Sequence, residues 1–251
     1  MTHQLMPFLK RLRLSGILET LDVRNTQAIE GQWTYVQFLA RLLEDEVERR
    51  AQKQLALRIR RAGVNTTKTL EGFDFSFNPS VNRQQVLDLS TCSFVRQKHN
   101  VLICGPTGVG KTHLAQALTH EACRRGYTAL FVNTYKMLQH IRGGRADGTL
   151  ERRLQTYLRP DLLALDDFGL RPLPPSGPED LYDIINERYE RGTILLTSNR
   201  APEEWPDLFG DPLLASAGLD RLTHRAHIVV ITGASFRAQA PTWEVPIGVA
   251  T

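Results

Sequence analysis

Cysteine is scarce, with three residues in a chain of 251. Cys92, Cys104 and Cys123 stand 12 and 19 positions apart, which matches neither a zinc-ligand pattern nor a disulfide framework. A disulfide-stapled or zinc-built fold is therefore excluded, and a reducing cytoplasm is the expected compartment. Cys104 lies inside an apolar run and reads as a small core residue. No apolar run reaches the roughly 18 residues that a membrane-spanning helix needs, so no membrane partner is expected. Near the N-terminus Lys10, Arg11 and Arg13 interrupt the apolar residues, so no secretory signal is expected there. His224 and His227 are not completed into a metal set by a nearby carboxylate or thiol, and they read as ordinary surface or core histidines. Repeats and low-complexity tracts are also missing, and a hydrophobic fraction of 41% is too high for a disordered chain.

Charge of one sign is modest overall, at +4, but it is unevenly placed. Residues 1–65 hold 11 Lys and Arg against 7 Asp and Glu, while the rest of the chain holds 20 of each. The densest basic run contains Lys53, Arg58, Arg60 and Arg61 and no acid. Such a run is either a solvated helix face or a contact for an acidic polymer.

Apolar spacing predicts an amphipathic helix over residues 5–24. Thr34 followed by Gln37 has the form of a capping box. Behind it, Phe38, Leu39, Leu42, Leu43 and Val47 make one apolar stripe on a helix that should end near Arg61, before Gly63. Residues 1–65 thus read as a small all-helical domain for DNA or partner binding. The pattern changes at residue 66. An aromatic, loop-like stretch (TTKTLEGFDFSFNP, residues 66–79) leads to a helix over 82–97. Short apolar runs at 101–104, 129–132, 162–165, 194–197 and 228–231 then alternate with helical segments. This predicts an α/β domain over residues 66–251, with a parallel five-stranded sheet flanked by helices. The glycines in RGGRADGTLERR (residues 142–153) point to a mobile loop between the second and third strands. Its Arg142, Arg145, Arg152 and Arg153 form a second basic patch, which reads equally as a DNA contact or a solvated loop.

The segment Gly105-Pro106-Thr107-Gly108-Val109-Gly110-Lys111-Thr112 fits G-x-x-x-x-G-K-S/T. It follows an apolar strand and opens a helix, the setting this motif requires, and the expected nucleotide-binding segment runs from Gly105 through Pro106, Thr107 and Val109 to His113. Glycines let backbone N–H groups cradle phosphate oxygens, and the helix N-terminus adds partial positive charge. Lys111 is expected to reach the β- and γ-phosphates of ATP, and the Thr112 hydroxyl to ligate Mg²⁺. A second buried run ends in Asp166 and Asp167, where Asp166 would hold the Mg²⁺ shell. Asp167 would orient a water or merely cap the following turn. Asn199 ends a third run and either contacts the γ-phosphate or starts a turn. Arg221 and Arg237 are candidates for neutralising phosphate charge, although each also reads as an ordinary surface arginine.

The ordered set GPTGVGKT, LLALDD, TSN, DRL and SFR resembles AAA+ ATPases of the DnaC/IstB subgroup. The blocks WTYVQFLARLLEDEVERR, KTLEGFDFSF, LLALDDFGL, INERYERG, TSNRAPEEW and DRLTHRAHIVVITGASFR make the resemblance greatest to the IstB-like helper ATPases of bacterial insertion sequences. The resemblance spans residues 5–237. It implies phosphate and Mg²⁺ binding by Gly105, Gly108, Gly110, Lys111 and Thr112, with Asp166 and Asp167 as the acidic pair. It also implies a sensor role for Asn199, an arginine finger acting in trans for Arg221, and a second sensor role for Arg237. An Asp at 167 stands where the broader AAA+ pattern has Glu. The family implies an Mg-dependent, bacterial, cytoplasmic ATPase that forms ring or helical homo-oligomers on double-stranded DNA and recruits or stimulates a partner transposase. A replicative helicase loader of the DnaC type and a small-molecule kinase with the same phosphate loop are the alternatives.

Overall fold

The computed structural model describes residues 4–236. It divides into two compact units, with the division between Arg58 and Ile59.

The first unit is helical. α1 (Met6–Arg11) and α2 (Ser15–Glu30) replace the single helix expected over 5–24. Arg13 takes φ 58, and its N–H bonds Lys10 O while the Leu14 N–H returns to Leu9 O. This pair of bonds ends α1 as a Schellman turn, a break that apolar spacing alone does not reveal. α3 (Tyr35–Ala62) starts at the expected capping box, with Gln37 N 3.3 Å from Thr34 Oγ1 and Thr34 N 2.8 Å from Gln37 Oε1. It ends before Gly63, as expected. The α3 stripe is only partly used: Leu42 is buried with Ile17 and Leu21, whereas Leu39, Leu43 and Val47 are exposed.

α2 has no side-chain cap of its own. Glu46 of α3 supplies one, its Oε2 accepting from Gly16 N at 2.6 Å and Ile17 N at 3.4 Å. Burial pushes the Glu46 carboxyl up, but Arg50 and these two amides outweigh it and leave the pKa lowered. Beside it Arg24 grips Asp45 with two bonds of 2.8 and 2.6 Å.

The second unit contains the sheet. α4 (Arg83–Ser90) and α5 (Ser93–Gln97) replace the single helix expected over 82–97, because Cys92 turns left-handed at φ 55. There follow β1 (Val101–Cys104), α6 (Lys111–Arg124), β2 (Ala129–Asn133), α7 (Thr134–Asp147), α8 (Leu150–Leu158) and β3 (Leu162–Phe168). α9 (Gly177–Arg188), β4 (Thr193–Ser198), α10 (Pro212–Thr223) and β5 (His227–Val230) complete it. The strands pair in parallel in the order β2-β3-β4-β1-β5. β1 and β4 are wholly buried, which is why they read as unbroken apolar runs. Among the described residues no helix is long and apolar enough to cross a membrane.

The mobile loop expected over 142–153 is not found. Residues 134–147 form one helix, and Gly148 then turns left-handed at φ 71. Gly144 is there for close packing, since a Cβ would lie 2.9 Å from Leu150 Cα. Arg145 is bound to Asp180 at 2.6 and 2.5 Å, and Arg153 is bound to Asp147 and to His140 O. Helix packing therefore overrides the low helix propensity of glycine at this crossing.

Arg188 is the main polar anchor of the core, with only 1% of its surface exposed. Its guanidinium donates to the carbonyls of Tyr157, Leu158, Asp161 and Thr193 at 2.7–3.2 Å. The first two are orphan carbonyls at the end of α8, so Arg188 caps that helix. Burial pushes its pKa down to about 10.

Arg188→Met strands these carbonyls and is expected to destabilise the chain by about 3 kcal/mol in urea unfolding. The Arg24 guanidinium holds Asp45 at about 2, below its ordinary 3.8. A lowered acid pKa gives stability that is present above the ordinary value and lost as pH falls through the folded one. Thermal melts from about pH 4 towards about pH 2 should therefore show the parent losing on the order of 1 kcal/mol more than Arg24→Gln.

Candidate functional site

The carboxyl ends of the strands open onto a cleft of about 610 Å³ in the second unit. Thr107 to His113, Asp166, Asp167 and Asn199 all line it. Gly105 and Pro106 lie just behind this lining. Gly105 N extends the β1–β4 ladder to Ser198 O at 3.1 Å, and Pro106 O accepts from Lys111 Nζ at 2.7 Å.

The loop conformation follows from its glycines. Gly105, Gly108 and Gly110 have φ of 152, 86 and 101, values that side chains rarely adopt. At Gly108 a Cβ would also run into the Ser235 side chain. α6 then starts at Gly110 with no side-chain cap, which makes its first turn a seat for an anion. His113 is turned outwards from the helix to Thr69 O, 2.9 Å from its Nε2, and its ring meets Phe73 edge-on at 5.2 Å. Burial lowers the His113 pKa and favours the neutral ring.

Asp166 is buried at 7% exposure. Its Oδ1 accepts from Thr112 Oγ1 at 3.0 Å and from Thr197 Oγ1 at 2.6 Å. Its own backbone carbonyl accepts from Thr134 Oγ1 at 2.9 Å. Burial holds the carboxyl above its ordinary pKa and the Asp167 charge adds to this, while the two hydroxyls draw it down. Asp167 follows in a left-handed conformation, φ 56, where β3 and β4 slip register between Leu165 and Phe168. This bulge turns two successive acids towards one cleft, where a regular strand would send them to opposite faces. Asp adopts such a φ more readily than most side chains. Asp167 Oδ2 accepts from Asn133 Nδ2 at 3.1 Å, and Asp167 N donates to Thr197 Oγ1 at 3.1 Å. Asn199 Nδ2 donates to Thr107 Oγ1 at 3.2 Å, which ties the end of β4 to the loop.

The residues fit ATP and a divalent cation. A hydroxyl and a buried carboxylate stand together beside an uncapped helix start, and a lysine shares the same loop. Thr112 and Asp166 are the donors that would hold Mg²⁺, directly or through water.

Arg221 is not brought to this cleft. It sits in the last turn of α10, donates to Ala217 O at 2.7 Å, and lies over Tyr182 and Tyr189 at 5.8 and 6.0 Å. α10 leads directly into the amino end of β5, so Arg221 lies towards the amino ends of the strands, whereas the phosphate loop follows the carboxyl end of β1. Arg237 lies outside the described residues. Of the proposed DNA contacts, Lys53, Arg60 and Arg61 are exposed and Arg58 is half-buried along α3, and Arg142 and Arg152 are exposed on α7 and α8. Arg145 is held by the buried Asp180, and Arg153 by the exposed Asp147 and by His140 O. Sequence reasoning missed Thr197 and Asn133. Both are polar residues ending or nearly ending apolar runs, and that position was their available signal.

Residues 8–242 match the family described as IstB-like ATP binding protein, and the chain belongs to that family. A protein of Mycobacterium tuberculosis, named as an ATP-binding protein in an insertion sequence, is 41% identical over 230 residues, covering 91% of this chain and 92% of the relative. The protein of Geobacillus stearothermophilus named as the ATP-binding protein of insertion sequence IS5376 is 35% identical over 237 residues, covering 94% of each chain. Among solved structures, the replication initiator DnaA bound to AMPPCP and single-stranded DNA matches with a TM-score of 0.55 and 28% identity over 67% of this chain. That match spans 50% of the DnaA chain. The DnaC helicase loader matches with a TM-score of 0.50 and 24% identity over 61% of this chain and 91% of its own, a likeness of fold alone. The second unit thus has the AAA+ P-loop fold.

Lys111→Ala is expected to weaken nucleoside triphosphate binding by roughly 10- to 100-fold without lowering the melting temperature of the nucleotide-free chain. Equilibrium titration with a fluorescent nucleotide checks this, and unchanged affinity would contradict the phosphate-loop assignment.

Proposed function

We propose that this chain is an Mg-dependent ATPase of a bacterial insertion sequence that assembles as a ring or helical homo-oligomer on double-stranded DNA and recruits or stimulates its partner transposase. The observation that carries this reading is the separation of Arg221 from the cleft of its own chain. The cleft holds a phosphate loop, an acidic pair and a polar strand end, but among the described residues it has no arginine to meet charge on a γ-phosphate. Arg221 on the far side is suited to serve the cleft of a neighbour. Contact between one protomer's cleft and another's Arg221 is head-to-tail, and such contacts build rings or open helices. The insertion-sequence names of the relatives support the transposition setting, and the DNA-bound DnaA neighbour supports a DNA partner.

In this reading the N–H groups of the loop and the Lys111 ammonium bind and orient the phosphates of ATP. Mg²⁺, when bound through Thr112 and Asp166, supplies positive charge to the phosphate oxygens. Asp167, steadied by Asn133, orients the attacking water and accepts its proton. Asn199 donates from its amide to the same region. Arg221 of the neighbouring subunit neutralises the charge that develops on transfer. Lys53, Arg58, Arg60, Arg61, Arg142 and Arg152 are the basic residues left to contact DNA phosphates, which gives sequence-tolerant, salt-sensitive binding.

Arg221→Ala separates these roles. The variant is expected to bind ATP as the parent does, to lose at least tenfold in hydrolysis, and to form no nucleotide-dependent multimers on duplex DNA in sedimentation velocity runs. A variant that hydrolyses ATP and assembles like the parent would overturn the in-trans assignment.

A further inference from the structure

α9 presents two tyrosines to α10. Tyr182 lies within α9 and Tyr189 ends it, seven positions further on, so the two rings fall on one side of the helix about two turns apart. α10 packs against α9 and brings the half-buried Arg221 to both rings. The guanidinium carbon lies over Tyr182 at 5.8 Å from the ring centroid and over Tyr189 at 6.0 Å. Each ring face attracts a cation at this range.

The rings are held in turn. Tyr189 Oη lies 3.0 Å from His224 Nδ1, and the two rings are tilted towards each other with centroids 5.7 Å apart. His224 is the residue that ends α10, so the ends of both helices are tied together beside the arginine. Arg221 itself donates to Ala217 O at 2.7 Å, one turn back on its own helix. Among the described residues no carboxylate pairs with it, although Glu190 shares with it the lining of a cavity of about 170 Å³. A carboxylate would hold an arginine more tightly, but it would neutralise the charge and occupy the N–H donors. Ring faces hold the guanidinium and leave it a full cation with donors to spare. An arginine that must meet a phosphate from another molecule needs that combination, a fixed position with no counter-ion to displace.

We propose that Tyr182 and Tyr189 are positioning residues for Arg221, an aromatic slot that holds its guanidinium, charged and without a counter-ion, for the γ-phosphate in the neighbouring protomer's cleft. The inference rests on the in-trans reading of Arg221 and adds what keeps that side chain in place. Neither tyrosine touches the nucleotide. Their effect passes through Arg221, so loss of the slot slows turnover and leaves the phosphate loop of the same chain intact.

The test measures steady-state ATP hydrolysis by the full chain with duplex DNA. Tyr182→Leu/Tyr189→Leu is expected to lower kcat about tenfold, with ATP affinity unchanged in fluorescent-nucleotide titration. Tyr182→Phe/Tyr189→Phe keeps both ring faces and is expected to stay within about threefold of the parent. Mixing assigns the effect to the boundary between subunits. The leucine variant has an intact cleft and Lys111→Ala an intact slot. Combined before ATP and DNA are added, the two are expected to hydrolyse several-fold faster than the average of each alone. Parent-like kcat in the leucine variant, or an equal loss in the phenylalanine variant, overturns the slot. So does a leucine variant that gains nothing from Lys111→Ala when Arg221→Ala does gain from it. If neither variant gains, the in-trans reading of Arg221 fails and the slot fails with it.

Discussion

One carboxylate organises the second unit. Asp166 ends the apolar part of β3, and its Oδ1 receives hydroxyls from Thr112 on α6 and Thr197 on β4. Three segments distant in sequence thus meet on one oxygen. Neutral hydroxyls do not cancel a buried negative charge, and the carboxyl is held above its ordinary pKa as a result. Beside it an uncapped helix start and Lys111 favour anions. In the proposed reading, a polyphosphate with its divalent cation would answer both demands at once, the cation balancing Asp166 and the phosphates filling the loop.

The parallel sheet makes this meeting possible. β4 lies between β3 and β1, so Thr197 stands between the acids and the phosphate loop and can bond to both Asp166 Oδ1 and Asp167 N. The bulge at Asp167 completes the arrangement by turning the second acid into the cleft. The remaining polar anchors work at a distance. Arg188 ties the end of α8 to the start of β4, and so holds the register on which the Thr197 contact depends.

Much of this was legible in the residues, for identifiable reasons. The strands of a sheet covered on both faces are continuous apolar runs, and the phosphate loop needs glycine at set spacings. Lys111, Thr112, Asp166, Asp167 and Asn199 therefore reached one cleft as expected. Left-handed turns at Arg13 and Cys92 were not legible, because neither residue type signals such a φ. The glycines at 143 and 144 misled for a related reason. Glycine marks a loop or a close helix crossing equally well, and only the packing of Leu150 and Arg153 against α7 decides between them. Arg221 stayed outside the cleft lining, over Tyr182 and Tyr189, because the end of α10 leads away from the phosphate loop, which its place in the chain order did not reveal.

The central claim is that the cleft is built for a nucleoside triphosphate together with a divalent cation held at Asp166. Calorimetric titration of the full chain with ATP, with Mg²⁺ and with a chelator in its place, tests it most directly. The account predicts one ATP per chain, bound at least tenfold more tightly with Mg²⁺, and an advantage that disappears in Asp166→Asn. ATP affinity that is the same with and without Mg²⁺, or an Mg²⁺ advantage that survives in Asp166→Asn, would contradict it.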